Sequence, residues 1–189
     1  MYDLNIPGWM AETELCQLEK WASSVSKNGV IVEVGSFLGR SSFCLGASCD
    51  PSVTVYCIDP FGSNVDILHD YSHVQGPAIG VYDTNKIFLE NTKDLKTIKQ
   101  LMGYSPETIN YPGDKIDIFF LDASHANPSD INYINYFTQF IKPGGILCGH
   151  DYNTQGFSPD IMENVRLLEK RYNKPVTLYE NSSLWSFTI

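Results

Sequence analysis

Basic residues are scarce in this sequence. Its 189 residues include 13 Lys and Arg against 22 Asp and Glu, a formal net charge of −9 with neutral histidines. Nucleic acids and anionic membrane surfaces are both bound through clustered Lys and Arg. We therefore expect no nucleic-acid partner and no membrane partner. Long apolar runs are also missing, since no stretch approaches the roughly 20 apolar residues that a membrane-spanning helix needs.

Cysteine pairs are missing as well. The five cysteines are odd in number and scattered, and no CxxC pair suggests a zinc or redox site. The acidic start MYDLNIPGWMAETE lacks the basic and apolar regions of a signal peptide. Free thiols in a cytoplasmic protein are the simplest expectation. The cysteines are Cys16, Cys44, Cys49, Cys57 and Cys148.

No repeat, low-complexity segment or linker divides the chain. A composition of 43% hydrophobic and 19% charged residues is ordinary for a globular protein. The length suits one domain over residues 1–189. The GxGxxG dinucleotide pattern and the Walker A pattern are both absent, so neither a nicotinamide-binding nor a P-loop fold is favoured.

Strand-like apolar runs alternate with stretches of helical period, which predicts an α/β fold with a largely parallel sheet. Residues 61–81 show no period and predict a lid or substrate loop. An opening helix capped by Thr13 and a later helix begun by Asn127 and stopped by Pro143 are predicted. The other predicted helices are 40–47, 82–95 and one beginning at Ser158, and the predicted strands are 30–35, 53–59, 97–102, 116–122, 146–152, 175–179 and 184–188.

Four of the predicted strands end in acidic, histidine or glycine residues. Ligands of open α/β sheets bind beyond the carboxyl ends of the strands. The sequence therefore predicts one site at that edge, where carboxylates would need a cation or hydrogen-bond donors between them. The residues concerned are Glu33, Gly35, Asp59, Asp122, His150 and Asp151.

The turn after the first strand, GSFLGRSS, carries two glycines into a helix N-terminus. Such a turn lets a ligand approach the backbone and favours an anionic group. Asp59 ends the next strand, where its carboxylate can accept hydrogen bonds from a ribose diol. Its alternative role is to initiate the turn before Pro60.

Five stretches together resemble the class I S-adenosylmethionine-dependent methyltransferases. They are similar to the small-molecule O-methyltransferase branch that contains macrolide sugar methyltransferases. The resemblance implies a Rossmann-like, seven-stranded, mostly parallel sheet with an antiparallel last strand and helices on both faces. The stretches are GWM (8–10), EVGSFLGRSS (33–42), CIDPF (57–61), IDIFFLDASH (116–125) and KPGGILCGHDY (142–152).

The resemblance also implies a cofactor site for S-adenosylmethionine. Asp59 would bind the ribose, and residues 102–105 would form the adenine edge, with Tyr104 where the family usually has an acidic residue. The implied cofactor-binding residues are Glu33, Gly35, Ser36, Gly39, Arg40, Ser41, Asp59, Gly103, Ser105 and Asp122.

Asp122 and Asp151 match the positions at which metal-dependent members hold Mg²⁺, and two carboxylates suit that ion. Asp122 would thus also be catalytic, because the metal would activate a substrate hydroxyl. Asn153 is a candidate neutral ligand, and His150 is a candidate ligand for a softer metal. His125 matches a general base, with a loop-fixing role as its alternative.

These observations predict an O-methyltransferase acting on a small hydroxylated molecule of sugar or natural-product type. Trp9 and the 61–81 segment are the candidate substrate contacts. Few other residues are candidate substrate contacts. A homo-oligomer in which a second subunit completes the pocket is therefore a further hypothesis. The alternatives are an inactive cofactor-binding or partner subunit of the same fold and, more distantly, a nicotinamide-dependent oxidoreductase.

Overall fold

The structure is a computed structural model, and it describes residues 1–62, 65–67, 80–104, 109, 111–123, 129–152 and 159–189. The helices in these residues are α1 (Glu12–Ser24), α2 (Arg40–Ser48), α3 (Thr84–Thr92), α4 (Ser129–Phe137) and α5 (Pro159–Tyr172), with a 3₁₀ turn at Thr138–Phe140. The strands are β1 (Val30–Val34), β2 (Thr54–Asp59), β3 (Val65–Ile67), β4 (Gly80–Tyr82), β5 (Ile98–Met102), β6 (Ile116–Leu121), β7 (Ile141–Gly149), β8 (Thr177–Leu178) and β9 (Trp185–Thr188).

The main sheet has seven strands in the order β5-β2-β1-β6-β7-β9-β8. Strands β5, β2, β1, β6 and β7 pair in parallel, whereas β9 runs antiparallel to both β7 and β8. The predicted seven-stranded sheet with an antiparallel last strand is therefore confirmed. Strand order reverses between β1 and β6, which is where ligands of such sheets bind.

Both faces of the sheet are covered, because its strands alternate their side chains between two cores. Along β6, Phe120 packs with α1 and α2, whereas Phe119 packs with α4 and α5. Phe119 stacks on Phe137 with ring centroids 4.7 Å apart. These two apolar layers hold the central strands rigidly, and so they fix the positions of the residues that follow each strand.

Several predicted boundaries are wrong: the strand predicted at 146–152 is Ile141–Gly149, the helix predicted at 82–95 is Thr84–Thr92, and two helix ends also differ. Helix α1 begins at Glu12 with Ala11 as its N-cap, two residues before the expected cap Thr13. The helix before β7 is shorter than expected, since Pro143 lies inside β7 and stops no helix. The reason is tertiary: the Gly144 N–H donates to Ile189 O (2.7 Å), and the Ile189 N–H donates to Gly145 O (2.9 Å). Pairing with the C-terminus thus extends the strand through a segment that locally favours a turn.

The segment 61–81, predicted as a loop, contains the short antiparallel pair β3 and β4 in its described part. Its role as a lid stays a prediction. All five cysteines are free, and Cys44, Cys57 and Cys148 are buried. Among the helices described, none combines the length and the apolar character needed to cross a bilayer.

Candidate cofactor and active site

The residues that follow β1, β5 and β6 donate backbone hydrogen bonds to the last residues of neighbouring strands. The Gly35 N–H donates to Ile58 O (2.9 Å), and the Asp122 N–H donates to Val34 O (2.9 Å). The Gly103 N–H donates in the same way to Asp59 O (2.9 Å). The predicted site residues therefore do meet along one edge, and their spacing is set by the register of the sheet.

The turn after β1 requires glycine at two positions. Gly35 has φ +94°, and a Cβ there would lie 2.0 Å from the backbone oxygen of Asp122. Gly39 has φ +93° and is the N-cap of α2. Glycine alone reaches these conformations without strain. The turn consequently lies directly against the strand end that carries Asp122.

Glu33 lies beneath this turn. Its side chain is fully buried, and its Oε2 accepts hydrogen bonds from the Ser36 hydroxyl (2.6 Å) and the Ser42 hydroxyl. Burial raises the pKa of Glu33, although the serine hydroxyls oppose that effect. Glu33 thus orders the turn from inside, while Ser36 is placed in the turn itself. A direct contact of Glu33 with a cofactor stays a prediction.

Asp59 holds the loops on either side of it. Its Oδ2 accepts the Phe37 N–H (3.0 Å), and its Oδ1 accepts the Phe61 N–H (2.9 Å). Burial raises its pKa, and these N–H groups work against that rise. The expected turn-initiating role before Pro60 is visible in the Phe61 contact. The expected ribose contact stays a prediction, which the free lone pairs of a carboxylate allow.

The side chain of Arg40 turns away from the turn and into the N-terminal segment. Arg40 is 4% exposed, and its guanidinium donates to Ile6 O (2.6 Å), Met10 O (3.0 Å) and Leu4 O (3.3 Å). Sequence reasoning missed this role. A signal existed, because a cation at a helix N-terminus opposes the helix dipole and needs another partner. A cofactor contact of Arg40 stays a prediction, and Ser41 beside it is buried.

Arg40 thereby positions Trp9, which belongs to the segment that it holds. The Trp9 ring stacks on Phe37, with centroids 4.8 Å apart and an interplanar angle of 27°. Phe37 belongs to the turn after β1 and has φ +46°. The N-terminal segment therefore covers one side of the candidate cofactor turn. A contact between Trp9 and the substrate stays a prediction.

At the edge of the sheet, β5 ends beside two exposed apolar side chains. Met102 is 55% exposed and Tyr104 is 56% exposed, with Gly103 between them at φ +143°. An aromatic and a thioether side chain on the surface suit a flat apolar ligand. This place matches the predicted adenine edge, whereas Ser105 lies outside the described residues.

Three potential metal ligands cluster at the ends of β6 and β7. One ligand atom each from Asp122, His150 and Asp151 lies within 4.8 Å of the other two. His150 Nδ1 is 3.4 Å from Asp122 Oδ1 and 3.2 Å from Asp151 Oδ1. Asp151 has φ +62°, a left-handed conformation that is uncommon outside glycine and is often found at functional sites. Three of the four predicted metal ligands are thus brought together.

Glu14 of α1 contacts the same imidazole at its other nitrogen, on the side away from the two aspartates. Its Oε2 is 3.1 Å from His150 Nε2, and both side chains are buried, although the contact is not aligned as a hydrogen bond. Glu14 is itself fixed by the N–H groups of Ser183 (2.9 Å) and Ala11 (2.9 Å). No local pattern could have identified Glu14, because its partner is 136 residues away in the sequence.

The pKa shifts follow from this arrangement. Burial alone would lower the pKa of His150, but Asp122, Asp151 and Glu14 raise it well above its ordinary value. Burial alone would raise the pKa of Glu14, but His150 and the nearby N–H groups lower it to about 2. The ring therefore lies among three carboxylates that favour positive charge at its position.

Two further candidate residues, His125 and Asn153, lie outside the described residues, as do Ser124, His69 and His73. The roles of His125 as a base and of Asn153 as a ligand stay predictions.

Two sequence comparisons, one with family models and one with curated proteins, address which family this chain belongs to. Residues 32–152 match a family model described as a methyltransferase domain, which is more than half of the chain. This range spans the strand ends that form the site, from β1 to the residues after β7. No curated protein matches the chain significantly in sequence.

Solved structures show the same fold at low sequence identity. The O-methyltransferase TomG from Streptomyces achromogenes, involved in tomaymycin synthesis and solved with S-adenosylmethionine (SAM), has 14% identity and a TM-score of 0.63, over 95% of this chain and 81% of that chain. An O-methyltransferase from Bacillus cereus, in complex with S-adenosylhomocysteine (SAH), has 15% identity and a TM-score of 0.61, over 98% and 85%.

A third structure is a TDP-rhamnose 3′-O-methyltransferase of calicheamicin biosynthesis, with 14% identity and a TM-score of 0.64, over 93% of this chain and 77% of that chain. Similarity at this level concerns the fold, and the family match carries the assignment. The chain therefore belongs to the methyltransferase-domain family and is a class I, S-adenosylmethionine-dependent methyltransferase.

Proposed function

We propose that this protein transfers the methyl group of S-adenosylmethionine to a hydroxyl group of a small molecule of sugar or natural-product type. One observation carries the proposal: the glycine turn after β1 lies directly against the strand end that bears Asp122. A Cβ on Gly35 would meet the Asp122 backbone oxygen at 2.0 Å. A cofactor held by the turn and an acceptor held by the acidic cluster would therefore be neighbours.

The residues present fit a bound S-adenosylmethionine. The turn offers backbone N–H groups at the N-terminus of α2, which suit the carboxylate of the methionine part. Asp59, at the end of the neighbouring strand, suits the ribose diol, and the exposed Tyr104 suits the adenine. When bound, the cofactor supplies an electrophilic methyl group, and a divalent cation at the acidic cluster supplies Lewis acidity toward the acceptor oxygen.

The protein's own residues would then orient the acceptor and remove its proton. Asp122, His150 and Asp151 would hold the cation, and with it the acceptor oxygen, in a fixed place. His125, which follows β6 in the sequence, would accept the proton of the hydroxyl as the oxygen is methylated. The structures of TomG and of the TDP-rhamnose 3′-O-methyltransferase support an acceptor of this chemical class.

The proposal is tested by calorimetry and by a transfer assay. Wild-type protein should bind SAM and SAH, and Asp59→Asn should weaken that binding roughly tenfold or more, since a hydrogen bond to a charged group contributes about 1.5–3 kcal/mol. Asp94→Asn, at an exposed carboxylate, is the matched control. His125→Ala should abolish methyl transfer to a panel of hydroxylated compounds and leave SAH binding intact. No heat with either ligand would refute the proposal.

A further inference from the structure

The acidic cluster contains an imidazole nitrogen where a magnesium site would have oxygen. His150 Nδ1 is 3.2 Å from Asp151 Oδ1 and 3.4 Å from Asp122 Oδ1. Two ligands at right angles on an ion with bonds of about 2.1 Å are about 3 Å apart. These two spacings fit neighbouring ligands on a single small dication, and all three ligand atoms, two carboxylate oxygens and one nitrogen, lie within 4.8 Å of one another.

The imidazole is held in the orientation that such a ligand needs. Glu14 Oε2 lies 3.1 Å from His150 Nε2, and the two side chains are 6% and 7% exposed. A metal on Nδ1 would take the place of the hydrogen that this nitrogen shares with the two aspartates, and the ring's remaining hydrogen would then be on Nε2, toward the carboxylate of Glu14. Metal-binding histidines commonly have their other nitrogen fixed by a carboxylate in this way.

Glu14 is itself well placed for this role. The Ser183 N–H (2.9 Å) and hydroxyl (3.1 Å) donate to its Oε1, and the Ala11 N–H donates to its Oε2 (2.9 Å). Its carboxylate therefore cannot swing away toward solvent. The fixed carboxylate of Glu14 therefore supports the candidate ligand His150 on the side away from the two aspartates.

This donor set does not fit magnesium well. Mg²⁺ prefers oxygen ligands and retains several waters, whereas imidazole suits Zn²⁺, Fe²⁺, Co²⁺ and Ni²⁺. We infer that the site formed by Asp122, His150 and Asp151 binds a first-row transition-metal dication in preference to Mg²⁺, with Glu14 as the residue that positions His150. The inference rests on the proposed function only in placing the metal at the acceptor side of the site.

The test uses Co²⁺, whose visible spectrum reports nitrogen ligation without any need for activity. Metal-free full-length protein is titrated with Co²⁺ and then with Mg²⁺ as competitor. We expect visible bands that develop with one equivalent of Co²⁺ and that a 100-fold excess of Mg²⁺ does not remove. His150→Asn should shift the bands and weaken Co²⁺ binding at least tenfold. Glu14→Gln should weaken it roughly 10- to 100-fold, as expected for a residue that orients a metal-binding histidine.

Asp94→Asn again serves as the control and should leave the Co²⁺ spectrum unchanged. The competition on wild-type protein decides the question even if the variants fold poorly. Absence of Co²⁺ bands, or their loss at an equal concentration of Mg²⁺, would overturn the inference. SAH calorimetry on the same samples separates the two proposals: SAH heat without Co²⁺ bands removes the metal inference alone, whereas Co²⁺ bands without SAH heat remove the cofactor site.

Discussion

Gly35→Ala should be the most disruptive single-methyl change in the cofactor turn. The added Cβ would lie 2.0 Å from the backbone oxygen of Asp122 and 2.4 Å from its carbonyl carbon. Both atoms belong to the main chain, so no side-chain rotation can relieve the contact. The residue also has φ +94°, where an L-residue is strained.

The expected loss in the free energy of unfolding has two parts. The left-handed conformation costs about 1–2 kcal/mol, and overpacking of a rigid site costs about 1–3 kcal/mol more. The total is roughly 2–5 kcal/mol, which corresponds to a fall in melting temperature of roughly 5–20 °C for a chain of this size. Because the clash lies between the turn and the Asp122 strand end, SAH affinity should fall as well.

Two other glycines allow the conformational cost to be measured separately from the steric cost. Gly113 has φ +83° and Gly144 has φ +82°, and a Cβ at either position would meet nothing within 4 Å. Their alanine variants should therefore show the conformational cost alone, about 1–2 kcal/mol. The measurement is urea unfolding and thermal melting of the three variants beside wild type. If the Gly35→Ala variant has the same melting temperature as the two control variants, the steric reasoning is wrong.

Two further predictions concern the N-terminal segment and the thiols. Arg40→Met removes three hydrogen bonds to main-chain carbonyls and should cost about 3 kcal/mol and expose residues 1–11 to thermolysin, whereas Arg166→Met at an exposed site should do neither. Burial raises the pKa of Cys44 to about 12, so in native protein iodoacetamide should label the partly exposed Cys16 well before Cys44, as read by mass spectrometry. Equal labelling rates at these two cysteines would contradict the burial of Cys44.

The sheet and its functional edge were predictable because they depend on local signals. Buried apolar runs identify β1 and β6, and Gly35 and Asp122, near their carboxyl ends, mark the edge. The extension of β7 through Pro143 could not be predicted in this way, since it comes from pairing with Ile189 at the far end of the chain. Local sequence favoured a turn there, and tertiary hydrogen bonds decided otherwise.

Roles of side chains that point away from their neighbours in sequence were harder to predict. The glycine turn places Arg40 beside the candidate cofactor site, yet its guanidinium binds carbonyls of the N-terminal segment. Glu14 is a polar residue in the first turn of a helix, where a solvent-facing side chain would be ordinary. Its function depends on Ser183 and His150, which only the folded chain brings to it.

Three of the acidic side chains of this chain lie around His150. Its ring faces the carboxylates of Glu14, Asp122 and Asp151 at 3.1–3.4 Å. Carboxylates this close to one another repel unless positive charge lies between them. A protonated imidazole supplies one positive charge, and a dication on Nδ1 and the two aspartates would supply two. The net charge of −9 over the whole chain, by contrast, is mostly solvated and requires no such partner.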